Sequence, residues 1–222
     1  MTEYHKIHSL FKRTTDGKAI IWGEYSLPEF EYLEASTWVF TEKVDGMNIR
    51  LTWDGERVDV LGKTDRAQVP APLLRWLSDY GFTDPRRWAK LPAGTVLYGE
   101  GYGPGIQSGG IYGIQQRFIL FDVMVGGLWL RRPDVHDVAR DLGFDVVPVV
   151  CEGTLVNLVE RVELGTMSML GNCRAEGLVA RPSVELLDRR GRRIITKLKA
   201  RDFNSPSGKA PSSGYNDTEG DQ

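Results

Sequence analysis

Short runs with β-strand character recur at close intervals along this chain and set the strongest limit on its fold. Ile49, Leu51 and Trp53 alternate with polar neighbours, Asp54-Gly55 supplies a tight turn, and Val58 and Val60 follow. Residues 37 to 61 therefore read as a β-hairpin, with Lys43 just upstream of a strand. Further β-type runs lie at Thr95 to Tyr98, Arg117 to Val123, Gly177 to Arg181, Val184 to Leu187 and Arg193 to Lys199. Helical patterns are fewer. They cover Ala71 to Tyr80 after Pro70, Pro133 to Leu142 with its stripe of Val135, Val138, Ala139 and Leu142 and a Gly143 cap, and Leu155 to Leu164 started by Thr154. Strands in close succession with few helices give an α+β class of mostly antiparallel sheets with flanking helices.

A chain of 222 residues, 41% of them hydrophobic, is long enough for one well-buried core, and residues 1–203 are expected to form one domain. Beyond Phe203 the composition turns to Ser, Pro, Gly and acids, so residues 204–222 are expected to be a disordered polar tail. That tail holds Lys209 against Asp217, Glu219 and Asp221, which accounts for the whole net charge of −2 and leaves the body neutral. No run approaches a membrane span, and Met1 to Leu10 lacks the apolar core of a signal peptide, so no membrane partner and a cytoplasmic location are expected. Cys151 and Cys173 have no metal-ligand spacing and read as reduced, buried thiols; His5, His8 and His136 are scattered and suggest no zinc.

Six motifs fall in one order: Lys43-Val44-Asp45-Gly46, Gly62-Lys63-Thr64, Gly99-Glu100-Gly101, Phe118-Ile119-Leu120-Phe121-Asp122, Glu176-Gly177-Leu178-Val179 and Lys197-Leu198-Lys199. Lys43 is the candidate nucleophile. A lysine attacks a nucleotide α-phosphate only as the free amine, yet its ordinary pKa is about 10.4. Nearby cations lower it, and period-two alternation puts Ile195, Lys197 and Lys199 on one face of a strand. The two lysines there can also hold the α-phosphate as charge develops. Standing alone, the same segment reads better as an amphipathic edge strand wearing lysines.

Glu100 lies among glycines that let a backbone approach a ligand closely, and its carboxylate suits a ribose hydroxyl; in isolation the segment is equally a glycine-rich surface loop. Glu176 opens a strand within reach of a metal or a sugar. Phosphoryl chemistry calls for a divalent cation to neutralise a triphosphate, with Glu176 and Glu100 as candidate ligands for Mg²⁺ or Mn²⁺. Phe121 can offer its face to a purine, and its odd separation from Phe118 puts the two on opposite faces of a strand. Arg174 to Arg201 holds nine Arg or Lys residues against three acids, either a surface for a phosphate backbone or a solvated basic hairpin.

The ordered motifs resemble those of the covalent nucleotidyltransferases, the ATP-dependent DNA and RNA ligases and the mRNA-capping guanylyltransferases. The resemblance runs from about residue 39 to 200. Asn48, Glu42-Lys43-x-x-Gly46-x-Asn48 and Gly99-Glu100-x-x-Gly103-Pro104-Gly105-Ile106-Gln107 resemble the phage-type RNA ligases that seal nicks in duplex RNA. The resemblance implies covalent AMP on Lys43, passed from ATP to an RNA 5′-phosphate and displaced by a 3′-hydroxyl. It places Glu42 at the adenine, Asn48 at the phosphate or a metal-bound water, Glu100 at the ribose and Phe121 stacked on adenine. It has Glu176 assisting lysine attack and Lys197 and Lys199 at the α-phosphate, with Arg181 and Gln107 at further polar positions of the pocket. Lys63 stands where these enzymes usually have Arg, keeping the charge without the bidentate fork. Those ligases and capping enzymes continue into an OB-fold or helical domain, whereas this chain turns polar soon after Lys199. The expectation is a catalytic domain without a C-terminal OB domain, acting on nicked or single-stranded RNA ends either alone or with a partner protein that supplies RNA binding. A DNA ligase, a guanylyltransferase or a non-catalytic RNA-end-binding module are the alternatives.

Overall fold

A computed structural model describes residues 3–204, so the expected polar tail lies, from residue 205 on, outside the described residues. In chain order, strands β1 (His8–Ser9), β2 (Phe11–Arg13) and β3 (Ile20–Tyr25) lead through the short helix α1 (Pro28–Tyr32) to β4 (Trp38–Lys43), β5 (Met47–Trp53) and β6 (Val58–Leu61). Helices α2 (Ala71–Asp79) and α3 (Pro85–Trp88) precede β7 (Val96–Tyr102), β8 (Arg117–Val125) and β9 (Leu128–Trp129). Helix α4 (Arg132–Leu142), β10 (Val149–Gly153), α5 (Leu155–Leu164), β11 (Gly177–Pro182) and β12 (Thr196–Lys199) follow.

Two five-stranded sheets carry the fold. One has the order β1-β12-β11-β4-β10 and the other β6-β5-β7-β8-β9; β2 and β3 form a separate pair. Within these sheets β1 and β12 are parallel and the remaining pairs antiparallel, in agreement with the α+β class read from the sequence.

Three sequence expectations need correction. Residues 37 to 61 are not one hairpin: β5 and β6 pair across the Asp54-Gly55 turn, but β4 belongs to the opposite sheet, between β11 and β10. Lys43 is the last residue of β4 and, as read from the sequence, stands just upstream of a strand, β5. Val184 to Leu187 forms no strand, because Asp188 gathers the backbone N–H groups of Arg190 and Arg192 into a turn and leaves a lone bridge between Leu187 and Arg193. The last strand begins at Thr196 rather than Arg193.

Strand alternation divides the core into layers. Ile49, Leu51, Leu97, Phe118 and Leu120 face outward from the second sheet onto Leu73 and Leu77 of α2, Trp88 of α3 and Val135 and Leu142 of α4. Trp38, Phe40, Leu178, Ala180 and Leu198 face the other way from the first sheet, against Leu155, Leu158 and Val162 of α5. Each such large side chain taken fully out of water contributes roughly 1.5–3 kcal/mol before entropy is counted. The helix ends follow the sequence signals: Thr154 and Asn157 close a capping box, and Gly143 ends α4 in the left-handed region at φ 78°. Between the inner faces of the two sheets lies a cleft.

Candidate active site

The chain crosses from one sheet to the other within Val44-Asp45-Gly46, and this crossing forms one end of the cleft. A Cβ on Gly46 would sit 2.3 Å from the Gly101 carbonyl oxygen and 2.8 Å from Glu100 Cγ, so only glycine lets β4 turn into β5 here. Gly177 is constrained in the same way, with a Cβ falling 2.1 Å from the Leu198 carbonyl. That close approach sets the register in which Gly177 lies opposite both Lys43 and Lys199.

The register brings three charges together. Glu176, just ahead of β11, accepts from Lys43 Nζ at 2.5 Å through one carboxylate oxygen and from Lys199 Nζ at 2.5 Å through the other. Burial opposes the Glu176 charge, but Lys43 and Lys199 outweigh it and hold the carboxyl below its ordinary range. Lys197 lies two residues before Lys199 on the same face of β12, opposite Val179. Burial, with Lys43, Lys199 and Lys63 nearby, pushes its ammonium down to about 8.

Across the cleft Asn48 on β5 and Glu100 on β7 are register partners. Asn48 Oδ1 is buried with no hydrogen-bond partner. Burial pushes the Glu100 carboxyl up to about 7; Glu176 and Asp45 add to the rise while Lys43 opposes it. The cavity has a volume of about 270 Å³, and Phe121, Val44, Val147 and Val179 give it apolar surface.

Of the residues singled out in the sequence, Lys43, Asn48, Lys63, Glu100, Phe121, Arg181 and Lys197 line one cavity, and Glu176 and Lys199 join it through Lys43. Phe121 faces the cavity while Phe118 lies in the outer core, as their odd separation requires. Lys63 is exposed at the cavity wall. Two residues stand elsewhere. Glu42 is 2% exposed and points away, its carboxylate bound by the Ser168 hydroxyl at 2.5 Å and the Met169 N–H at 2.8 Å. Gln107 is exposed on a loop with φ 46° and does not line the cavity.

Arg181 lines the cavity, but its two terminal nitrogens each donate at 2.7 Å to Asp122. Asp122 is fully buried and also accepts from Arg193 at 3.0 Å through both oxygens and from the Tyr4 hydroxyl at 2.5 Å. Burial opposes the Asp122 charge, yet the two guanidinium groups hold its carboxyl well below the carboxylate range. Tyr4 in turn meets the Phe121 ring edge-on at 5.0 Å. The sequence alone signals no role for Tyr4, Asp122 or Arg193: Asp122 ends one of the ordered motifs, Arg193 opens a β-type run within the basic segment, and Tyr4 is too distant in sequence to signal its partner. The expected basic surface over Arg174 to Arg201 is not a single face, since Arg181 and Arg193 turn inward to Asp122, Lys199 pairs with Glu176 and Lys197 lines the cavity. Both cysteines are free but half-buried rather than buried.

Among the described residues no group of three or more His, Cys, Asp or Glu side chains could hold a metal, and no helix is long and apolar enough to cross a membrane. A divalent cation nevertheless finds compatible oxygens in the unpartnered Asn48 carbonyl and the Glu100 carboxylate beside it, the sparse protein ligation that Mg²⁺ accepts when phosphates and water complete its shell.

The family described as RNA ligase matches residues 36–199 of this chain. No curated protein matches significantly. Among solved structures, a Naegleria gruberi RNA ligase mutant with ATP and Mn superposes with a TM-score of 0.64 at 15% identity, covering 89% of this chain and 59% of that one. A second mutant of that ligase, with AMP and Mn, gives 0.62 at 18% identity over 79% and 53%. The same ligase with PPi gives 0.61 at 17% identity over 90% and 58%. The present chain thus spans little more than half the length of these proteins, and at such identities the likeness establishes the fold.

Proposed function

The chain belongs to the RNA ligase family, and from that premise we propose that residues 1–203 form an ATP-dependent RNA ligase domain working through AMP on Lys43. The observation that carries this reading is the Lys43–Glu176–Lys199 bridge at the wall of a nucleotide-sized cleft.

For attack, Lys43 Nζ must shed a proton; Glu176, whose carboxyl is too weak a base to keep it, orients Nζ at 2.5 Å and passes the proton on to water. Nζ then bonds to the α-phosphorus as the bond to pyrophosphate breaks. Lys197 and Lys199 bring positive charge to the α-phosphate oxygens while negative charge builds on them. Phe121 and Val179 offer apolar faces for the base, and Glu100 accepts from a ribose hydroxyl. A bound Mg²⁺ or Mn²⁺ would neutralise triphosphate charge, with Asn48 and Glu100 holding it. In two further displacements AMP passes to an RNA 5′-phosphate and a 3′-hydroxyl expels it. The RNA-ligase form of the segments around Asn48 and from Gly99 to Gln107 favours nicks in duplex RNA as the substrate.

Incubation with α-labelled ATP and Mg²⁺ followed by denaturing electrophoresis tests the reading. Label on the wild type and none on Lys43→Ala is the expected result; no label on folded wild type overturns it. Label without joining of nicked or single-stranded RNA would assign RNA engagement to a partner chain.

A further inference from the structure

A second cavity, of about 310 Å³, opens between the end of β11 and the start of α4, and it shares Thr41 and Arg181 with the nucleotide cleft. Arg131, Arg132, Arg181 and Ser183 line it together with one carboxylate, Glu185, beside apolar surface that includes Val39 and Pro182. We propose that this cavity binds a phosphate group between Arg132 and Arg181.

Two unsatisfied donors carry the proposal. The Nε–H of Arg132 and the Nε–H of Arg181 are both buried without a hydrogen-bond partner, and both belong to residues lining this one space. Buried donors without acceptors are uncommon in folded proteins, and two in one cavity call for a shared acceptor. Arg132 Nη2 donates to the Val147 carbonyl and both terminal nitrogens of Arg181 donate to Asp122, which anchors the two guanidinium groups beside the cavity.

Charge balance points to an anion rather than water. Arg132, Arg181 and Arg193 face two carboxylates, Asp122 and Glu185; Asp122 is already shared by two arginines, and Glu185 lies 3.7 Å from Arg193. Arg131 pairs with Asp134, while Arg132 has no carboxylate within salt-bridge distance among the described residues. One guanidinium charge is therefore left over. Burial first, and then the Arg181 charge, push Arg132 down to about 10, the response expected of a cation held without a counterion. A tetrahedral phosphate offers acceptors to two guanidinium groups at once, the geometry for which arginine is suited. The Ser183 hydroxyl lines the same wall and can donate a further bond.

Two sources supply that chemistry, a phosphodiester of an RNA strand or free inorganic phosphate. Thermal melts of the purified protein with low-millimolar inorganic phosphate, against sodium chloride at equal ionic strength, test the site without ATP and therefore independently of the lysyl-AMP experiment. Phosphate should stabilise the wild type, and Arg132→Met should weaken its half-saturation at least tenfold. Ser183→Asp, an exposed position that tolerates substitution, should weaken it similarly through like-charge repulsion. Lys197→Met, which alters the nucleotide cleft, should leave the phosphate effect in place. Absence of stabilisation, or stabilisation lost in Lys197→Met and kept in Arg132→Met, would overturn the proposal. Binding of a 5′-phosphorylated RNA strand identifies the source. A phosphodiester ligand lowers the slope of log affinity against log salt by about one in Arg132→Met, whereas a free-phosphate site leaves RNA binding unchanged.

Discussion

Asn48 and Glu100 are direct cross-strand partners on β5 and β7, and the pair combines an unpartnered carbonyl oxygen with a carboxyl pushed up to about 7. Neither group is at ease without a ligand. The cleft is thus organised for something that brings positive charge or hydroxyl donors, at a cost borne by the free protein.

That cost is measurable. Glu100 has a folded-state pKa above its unfolded value, so the stability it contributes is complete below the unfolded value and is lost as pH rises through about 7. Without nucleotide or metal, Glu100→Gln should be more stable than the wild type at pH 8 by roughly 1–3 kcal/mol. The gain should vanish at pH 5. Melting curves at the two pH values decide it, and an equal offset at both would remove the ionised carboxylate as the cause.

Glu176→Gln should slow Lys43 labelling by ATP about 100-fold or more at neutral pH, because it removes the carboxylate that orients Lys43 and passes its proton to water, and leaves Lys43 and Lys199 without their shared partner. Raising the pH should recover part of the rate as hydroxide takes over that proton. Labelling within a few-fold of wild type at pH 7 would exclude Glu176 from the step.

The legible part of this site is the part encoded by local rules. Alternation put Lys197 and Lys199 on one face of a strand and separated Phe121 from Phe118, and motif order placed Lys43, Glu100 and Glu176 around one cleft. What escaped reading depends on distant pairing. Nothing within residues 37 to 61 reveals that β4 leaves its sequence neighbours to pair with β11, since both arrangements satisfy the same alternation. Glu42 is equally opaque. Whether a carboxylate beside Lys43 faces the cleft or a loop is decided by Ser168 and Met169, far along the chain. The Tyr4, Asp122 and Arg193 cluster likewise joins three segments whose only common property is where the fold puts them.

Gly46→Ala should separate activity from stability. Its Cβ would meet backbone at Gly101, and the displacement would fall on the crossing that holds Lys43 and Asn48 in place. Overpacking of this kind costs roughly 1–3 kcal/mol, whereas a misplacement of about 1 Å at reacting groups costs around 100-fold in rate. Labelling should therefore fall by around two orders of magnitude in a protein that still melts cooperatively. Full labelling would show that the crossing yields without moving the lysine.

Asp122→Asn tests the buried centre behind Phe121. Arg193 has a side chain only 1% exposed, and the substitution leaves it and Arg181 without their common carboxylate. Breaking a buried pair from one side destabilises by roughly 3–5 kcal/mol, more than the pair itself contributes, because an unmatched charge remains in a dry site. The sign with pH follows from the depressed Asp122 pKa: the carboxylate's contribution is present above the unfolded value and is lost as pH falls through the folded one. Urea unfolding should therefore show the full deficit at pH 7 and a smaller one at pH 3, where the wild type has begun to lose the same interaction. Because Tyr4 links this centre to Phe121, nucleotide affinity at neutral pH should weaken with the deficit. A deficit under about 1 kcal/mol at pH 7, or one unchanged between the two pH values, would show that the arginines find other partners once Asp122 is neutral.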